Sequence, residues 1–177
     1  MHVVTKHRKP RSNDASRFIV DAASNLSLPN GFPVLDLACG YGRNSIFLSE
    51  QGHEVVAADY CREMLVDGWC TSSPFIRVVH LDASLPLPFV NASFAAVVVV
   101  HFYATGLFRN VRDLVIPGGY VLYESISARG GNANELPTTG VAQEELLPGY
   151  TFLKHQERLV KGAQSKATLR LIARRHF

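Results

Sequence analysis

Short apolar runs alternate along the chain with segments whose apolar residues recur at helical spacing. Phe18, Ile19, Ala22 and Ala23 fall at that spacing, and residues 12–14 can cap a helix ahead of them. Leu28-Pro29-Asn30-Gly31 is a turn cluster that stops it. Residues 33–38 then read as a first strand. Residues 44–51 read as a helix stopped by Gly52, 54–58 as a second strand, 62–69 as a second helix and 75–81 as a third strand. Pro86 and Pro88 keep the next stretch a loop. Residues 94–102 are an almost unbroken valine-rich run, the pattern of a strand buried on both faces of a parallel sheet. Residues 107–115 predict a short helix, Pro117-Gly118-Gly119 a turn, and 120–126 a fifth strand.

Beyond the fifth strand the pattern loosens. Residues 128–137 are polar and glycine-containing and predict a mobile loop, and 143–147 a helical turn. Residues 151–159 and 167–174 predict two strands joined at Lys161-Gly162, a terminal hairpin that adds one antiparallel strand. Strands alternating with helices imply an α/β fold with a mostly parallel sheet. No interior linker divides the chain, so residues 1–177 are expected to form one domain, with 1–13 a flexible basic arm.

Composition narrows the class. Apolar residues make up 47% and charged residues 19%, a globular balance that argues against disorder. No apolar run reaches the roughly 20 residues of a membrane span, and the basic start lacks the apolar core of a signal peptide, so a cytoplasmic location is expected. The net charge of +3 is too small for a nucleic-acid footprint, although Lys6, Arg8, Lys9 and Arg11 cluster at one end. Cys39, Cys61 and Cys70 are odd in number and lack metal-site spacing, so neither a disulfide framework nor a metal centre is expected.

The most informative stretch runs from Val34 to Ser45: a strand, a glycine turn and a helix start. Gly40 and Gly42 let the backbone bend tightly and approach a ligand, with main-chain N–H groups and the helix N-terminus facing whatever binds. Asp36 lies inside the apolar strand, where a carboxylate needs a donor or a cation. Asp59 ends the second strand, a position suited to accept ribose hydroxyls, and Asp82 ends the third. Ligands of open α/β sheets bind along that C-terminal edge. A nicotinamide dinucleotide is the obvious competitor. Its G-x-G-x-x-G pattern fails at Ser45, and Asp36 would repel a pyrophosphate but suit a ligand carrying an ammonium group and a sulfonium.

These residues resemble the class I S-adenosylmethionine-dependent methyltransferases. The stretch Val34-Leu35-Asp36-Leu37-Ala38-Cys39-Gly40-Tyr41-Gly42-Arg43 is similar to the first motif of that family. Asp59-Tyr60 with Met64 is similar to the second, and Leu81-Asp82-Ala83 to the third. The resemblance implies a Rossmann-like seven-stranded sheet with helices on both faces and an antiparallel last strand. It implies S-adenosyl-L-methionine as cofactor and S-adenosyl-L-homocysteine as product. It also implies a donor site drawn from Asp36, Ala38, Cys39, Gly40, Gly42, Asn44, Asp59, Tyr60, Met64, Asp82 and Ala83. Asp59 would hold the ribose, Met64 would pack near the adenine and Asp82 would bond its amino group. Within the class, Leu35 to Gly40 with Gly42-Arg43-Asn44 look most like the tellurite-resistance-type enzymes, which implies a small-molecule acceptor. The Pro-Pro-aromatic motif of amino-base methylases is missing, since the fourth strand ends His101-Phe102-Tyr103-Ala104.

His101 stands where an acceptor contact or general base would stand, or as a packed histidine closing the pocket floor. Tyr103 and Glu124 are further residues near the ligand edge, each with a structural alternative. Two rival functions share the donor site: a donor-binding partner subunit without turnover, and an RNA methyltransferase using the basic N-terminal segment.

Overall fold

The computed structural model describes residues 14–127, 146–159 and 167–177. The expected basic arm at 1–13, the loop at 128–137, most of the helical turn at 143–147 and the Lys161-Gly162 turn lie outside the described residues. Helix α1 is Arg17–Asn25 and strand β1 is Val34–Leu37. There follow α2 (Arg43–Glu50), β2 (Val55–Asp59), α3 (Arg62–Asp67), a 3-10 turn (Trp69–Ser72) and β3 (Ile76–His80). The chain continues through β4 (Phe94–Val100), α4 (Leu107–Arg112), β5 (Val115–Ser127), β6 (Tyr150–Leu159) and β7 (Ala167–Arg175).

All seven strands form one sheet in the order β3-β2-β1-β4-β5-β7-β6. β7 runs antiparallel between β5 and β6, and every other pairing is parallel. This is the Rossmann-like arrangement expected. Every residue of β1 and β4 is buried, as a strand covered on both faces requires. α1, α2 and α3 bury Phe18, Ile19, Leu48 and Leu65 against one face, and α4 buries Leu107, Phe108 and Val111 against the other. No described helix is long and apolar enough to cross a membrane.

Three local expectations are corrected. The cap of α1 is Ser16, not a residue of 12–14: the Ser16 Oγ accepts from the Phe18 N–H at 3.2 Å. The helix expected over 62–69 stops at Asp67, because Gly68 is wedged against backbone: a Cβ there would stand 2.7 Å from the Tyr41 carbonyl oxygen. Pro117-Gly118-Gly119 does not precede β5 but lies within it. Gly118 takes φ 78°, and the register against β4 shifts between Phe94 and Ala96, so the three residues form a bulge in a continuous strand.

The sheet order reverses where β1 lies between β2 and β4, with Leu37 beside Val99. A crevice opens at such a switch point beyond the strand ends. Here both strands end in a non-glycine residue with left-handed backbone, Ala38 (φ 57°) after β1 and His101 (φ 61°) after β4. That region is unfavourable for side chains with a Cβ, and such strain tends to gather at functional sites.

Candidate active site

A cavity of about 390 Å³ lies at this crevice, in the size range of small-molecule and cofactor sites. Its wall is Ala38 to Tyr41 from the glycine turn, Arg43 and Asn44 from α2, Met64 from α3, Trp69 from the 3-10 turn, and Val100 and His101 from the end of β4. Of the residues expected at the donor site, Ala38, Cys39, Gly40, Asn44 and Met64 face this space, and so does His101.

The three aspartates stand at different depths, and none lines the cavity. Asp36 is buried behind the turn and accepts from the Ser45 Oγ at 2.6 Å. Burial pushes its carboxyl up to about 7, against the hydrogen bonds from the Ser45 side chain and backbone, which pull it down. Asp59 is buried too. Its Oδ2 accepts the Gly40 N–H and its Oδ1 the Cys61 N–H, each at 2.8 Å, so it fixes the glycine turn to the end of β2. Asp82 is exposed and accepts from both the backbone N–H (2.8 Å) and the hydroxyl (2.6 Å) of Ser84, bonds that hold its carboxyl below the usual range. Tyr60 is exposed beside Asp59, whereas Ala83 is buried in the core under α4.

The glycine turn also differs from its expected form. Three of its amides are turned inward: the Cys39 N–H donates to the Ala58 carbonyl, the Gly40 N–H to Asp59 and the Gly42 N–H to the Cys39 carbonyl. The start of α2 meets the Asp36 carboxylate through Ser45. What the turn offers a ligand is close approach: a Cβ at Gly40 would stand 3.8 Å from the Met64 Sδ. Gly42 faces inward instead, and its bare α-carbon packs on the Sγ of buried Cys70. Cys70 also hydrogen-bonds Cys39, and that bond pushes the Cys39 thiol up, with burial adding to it, and the Cys70 thiol down.

On the other side of the cavity the His101 ring is exposed, with its Nε2 3.9 Å from Oε1 of Glu124. Partial covering of the ring, with the Arg43 cation adding to it, holds His101 below its ordinary value, and Glu124 opposes them. The imidazole is therefore neutral at pH 7 and able to accept a proton. Glu124 is buried, and Arg170 donates to its Oε2 at 2.6 Å while Ser16 donates to its Oε1 at 2.7 Å. Among the described residues no group of three or more histidine, cysteine or acidic side chains is arranged to hold a metal.

Sequence reasoning missed Trp69 and the Glu124–Ser16–Arg170 cluster. Trp69 was absorbed into a helix that ends before it. The cluster joins β5, α1 and β7, and only a buried glutamate inside an apolar strand hinted at it.

Comparison with known proteins agrees with this geometry. Residues 34–119 match the family model described as a methyltransferase domain. A demethylmenaquinone methyltransferase of Corynebacterium efficiens is 32% identical over 100 residues. That match covers 53% of this chain, and the chain spans only 41% of the relative's length. An S-adenosylmethionine-dependent methyltransferase from Mesorhizobium loti superimposes with a TM-score of 0.70 at 20% identity, over 88% of this chain and 96% of that one. The geranyl diphosphate C-methyltransferase of Streptomyces coelicolor, solved with S-adenosyl-L-homocysteine, gives 0.67 at 14% identity, over 89% and 78%. The cyclase SpnF gives 0.72 at 15% identity, over 90% and 80%. The matched segment is thus similar to a methyltransferase domain, and the fold is one that the Mesorhizobium loti enzyme shares.

Proposed function

We propose that this chain is an S-adenosylmethionine-dependent methyltransferase acting on a small-molecule acceptor. The observation that carries the reading is the glycine turn with three of its amides satisfied internally and Asp36 set under the start of α2. A pyrophosphate needs outward N–H groups and an uncompensated helix N-terminus. Here three turn amides are spent inside the protein and Ser45 of α2 bonds Asp36, which disfavours a dinucleotide and leaves a cleft suited to a donor without phosphate. The residues fit the donor: close approach at Gly40, a thioether at Met64 and an aromatic wall at Trp69.

When bound, S-adenosylmethionine supplies a methyl group already activated by the sulfonium charge, so positioning is the main task of the protein. Asp59 shapes the turn and keeps spare lone pairs on both carboxylate oxygens for ribose hydroxyls. Asp36 sets a carboxyl group behind the turn, bonded to Ser45. Tyr60 and Asp82 flank the donor from the neighbouring strand ends. His101, neutral and at the far side of the cavity, takes the acceptor proton where the acceptor has one to lose. The tellurite-resistance-type likeness of residues 35–44 favours a small acceptor over nucleic acid.

The same fold serves the cyclase SpnF, so fold alone does not establish methyl transfer. The deciding experiment is calorimetric titration with S-adenosylhomocysteine, with NAD in parallel. Saturable binding of the first alone is expected, followed by acceptor screening with labelled donor. Binding of NAD alone, or of neither by folded protein, overturns the reading. Steeply salt-dependent RNA binding would replace the small-molecule acceptor with RNA.

A further inference from the structure

We infer that Ser16, the cap of α1, is a positioning residue that ties the donor side of the cleft to its acceptor side. The names of the two sides rest on the methyltransferase reading; the linkage itself rests on geometry. Ser16 is almost fully buried and does not line the cavity. Its backbone N–H donates to Oδ1 of Asn44 at 2.9 Å, and Asn44 forms part of the cavity wall on α2. Its hydroxyl donates to Oε1 of Glu124 at 2.7 Å. That oxygen is the one facing the His101 Nε2 at 3.9 Å. Glu124 holds His101 a second time, because its carbonyl accepts the His101 N–H at 2.7 Å and so pins the left-handed backbone there.

A simple helix cap needs only the bond to the Phe18 N–H. The two additional bonds span 28 and 108 residues of sequence and reach both walls of the cleft. Each end of Glu124 is thereby fixed, Oε1 by Ser16 and Oε2 by Arg170 of β7. The charged groups acting on the His101 ring among the described residues are Arg43 from α2 and Glu124 from β5, with Arg170 on the far oxygen of Glu124. The Ser16 hydroxyl shares the negative charge of the oxygen that faces the ring. Removing it frees that oxygen for His101 and admits water, and both effects favour the imidazolium.

The test is an NMR titration of the His101 ring in the full chain, its signals assigned by their loss in His101→Gln. Ser16→Ala is expected to raise the His101 midpoint by about half a pH unit or more, and Glu124→Gln to lower it. Ser16→Thr, which keeps a hydroxyl, is expected to match the unaltered protein. Ser16→Gly serves if the alanine variant folds poorly, since an N-cap tolerates glycine better than alanine. A merely structural cap would lower the melting temperature and leave the His101 midpoint alone. An unmoved midpoint in folded Ser16→Ala or Ser16→Gly overturns the inference. Because the titration needs no ligand, it decides the linkage even if S-adenosylhomocysteine does not bind the unaltered protein and the methyltransferase reading fails.

Discussion

Gly42→Ala separates what the glycine turn needs from what it merely contains. Gly42 has φ 81° and ψ 27° at the start of α2. A side chain with a Cβ in left-handed backbone costs about 1 kcal/mol. The second cost is steric. The new methyl group would overlap the Sγ of Cys70 and stand 3.2 Å from the Cys70 nitrogen, and Cys70 is fully buried, so the sulfur has no free volume to enter. Wedging one carbon into a packed site costs about 1–3 kcal/mol. The sum is about 2–4 kcal/mol, a large share of the roughly 5–15 kcal/mol that holds a domain together.

Gly40→Ala is the internal control. It has φ 57°, but its Cβ would meet only the Met64 Sδ, at an ordinary 3.8 Å. Only the conformational cost applies, about 1 kcal/mol. Urea denaturation followed by circular dichroism gives both values. Cys70→Ala combined with Gly42→Ala then removes the obstructing sulfur, and the pair should show a favourable coupling of about 1–3 kcal/mol. Equal destabilisation by the two glycine variants, or a coupling near zero, would refute the packing argument.

Three further outcomes follow from the same geometry. Asp36 has its carboxyl raised to about 7 by burial, so between about pH 4 and pH 7 the folded state holds a proton that the unfolded chain has released. Stability should therefore fall as pH rises through that window, by on the order of 4 kcal/mol in all, and level off above it; Asp36→Asn should flatten the slope, and an unchanged slope in urea titrations at several pH values would disprove this. Asp59→Ala leaves the Gly40 and Cys61 N–H groups without their carboxylate, so a loss of about 2 kcal/mol in stability and at least a ten-fold weaker S-adenosylhomocysteine affinity are expected by denaturation and calorimetry; normal affinity in the folded variant would sink the ribose assignment. Gly119→Ala would place a Cβ 2.5 Å from the Ala95 carbonyl oxygen, and since neither strand backbone can yield, a loss of about 3 kcal/mol or more in unfolding free energy is expected by urea denaturation, with a near-neutral result counting against the bulge packing.

How much of this was legible depended on whether a feature is local. The valine run of β4 reads as a buried strand because both faces of the sheet are covered, and every residue of it is buried. The terminal hairpin reads from alternation in β7, whose buried and half-buried residues do alternate up to Ala173. Pro-Gly-Gly is turn chemistry, so the sequence predicts a turn where the structure has a bulge at Gly118. Pairing with β4 on both sides of it, at Val115 and again from Tyr120, keeps it within one strand. The cap of α1 was placed too early for a similar reason. Several residues before the helix have capping side chains, and what selects Ser16 is its bonding to Asn44 and Glu124, far away in sequence. His101 was correctly placed at the end of β4, but its left-handed backbone is set by the hydrogen bond to β5, which no local pattern reveals.

The aspartates carry the consequence furthest. Sequence spacing puts Asp36, Asp59 and Asp82 near one sheet edge, but it cannot give depth, and depth separates support from contact. Asp36 and Asp59 are buried and hold up the turn from behind, so their loss strikes stability and donor affinity together. Arg43 and Met64 face the cavity; Trp69 faces it too, but its N–H donates to the Tyr41 carbonyl at 2.8 Å, so it shares the frame. Truncating Arg43 or Met64 should weaken donor binding while leaving the denaturation midpoint close to its original value, since changes away from buried features move stability by about 0.5 kcal/mol or less. A plot of affinity loss against stability loss should therefore split the site into two groups. Falling on a single line would mean that binding merely tracks folding, and the division between frame and contact would have to be abandoned.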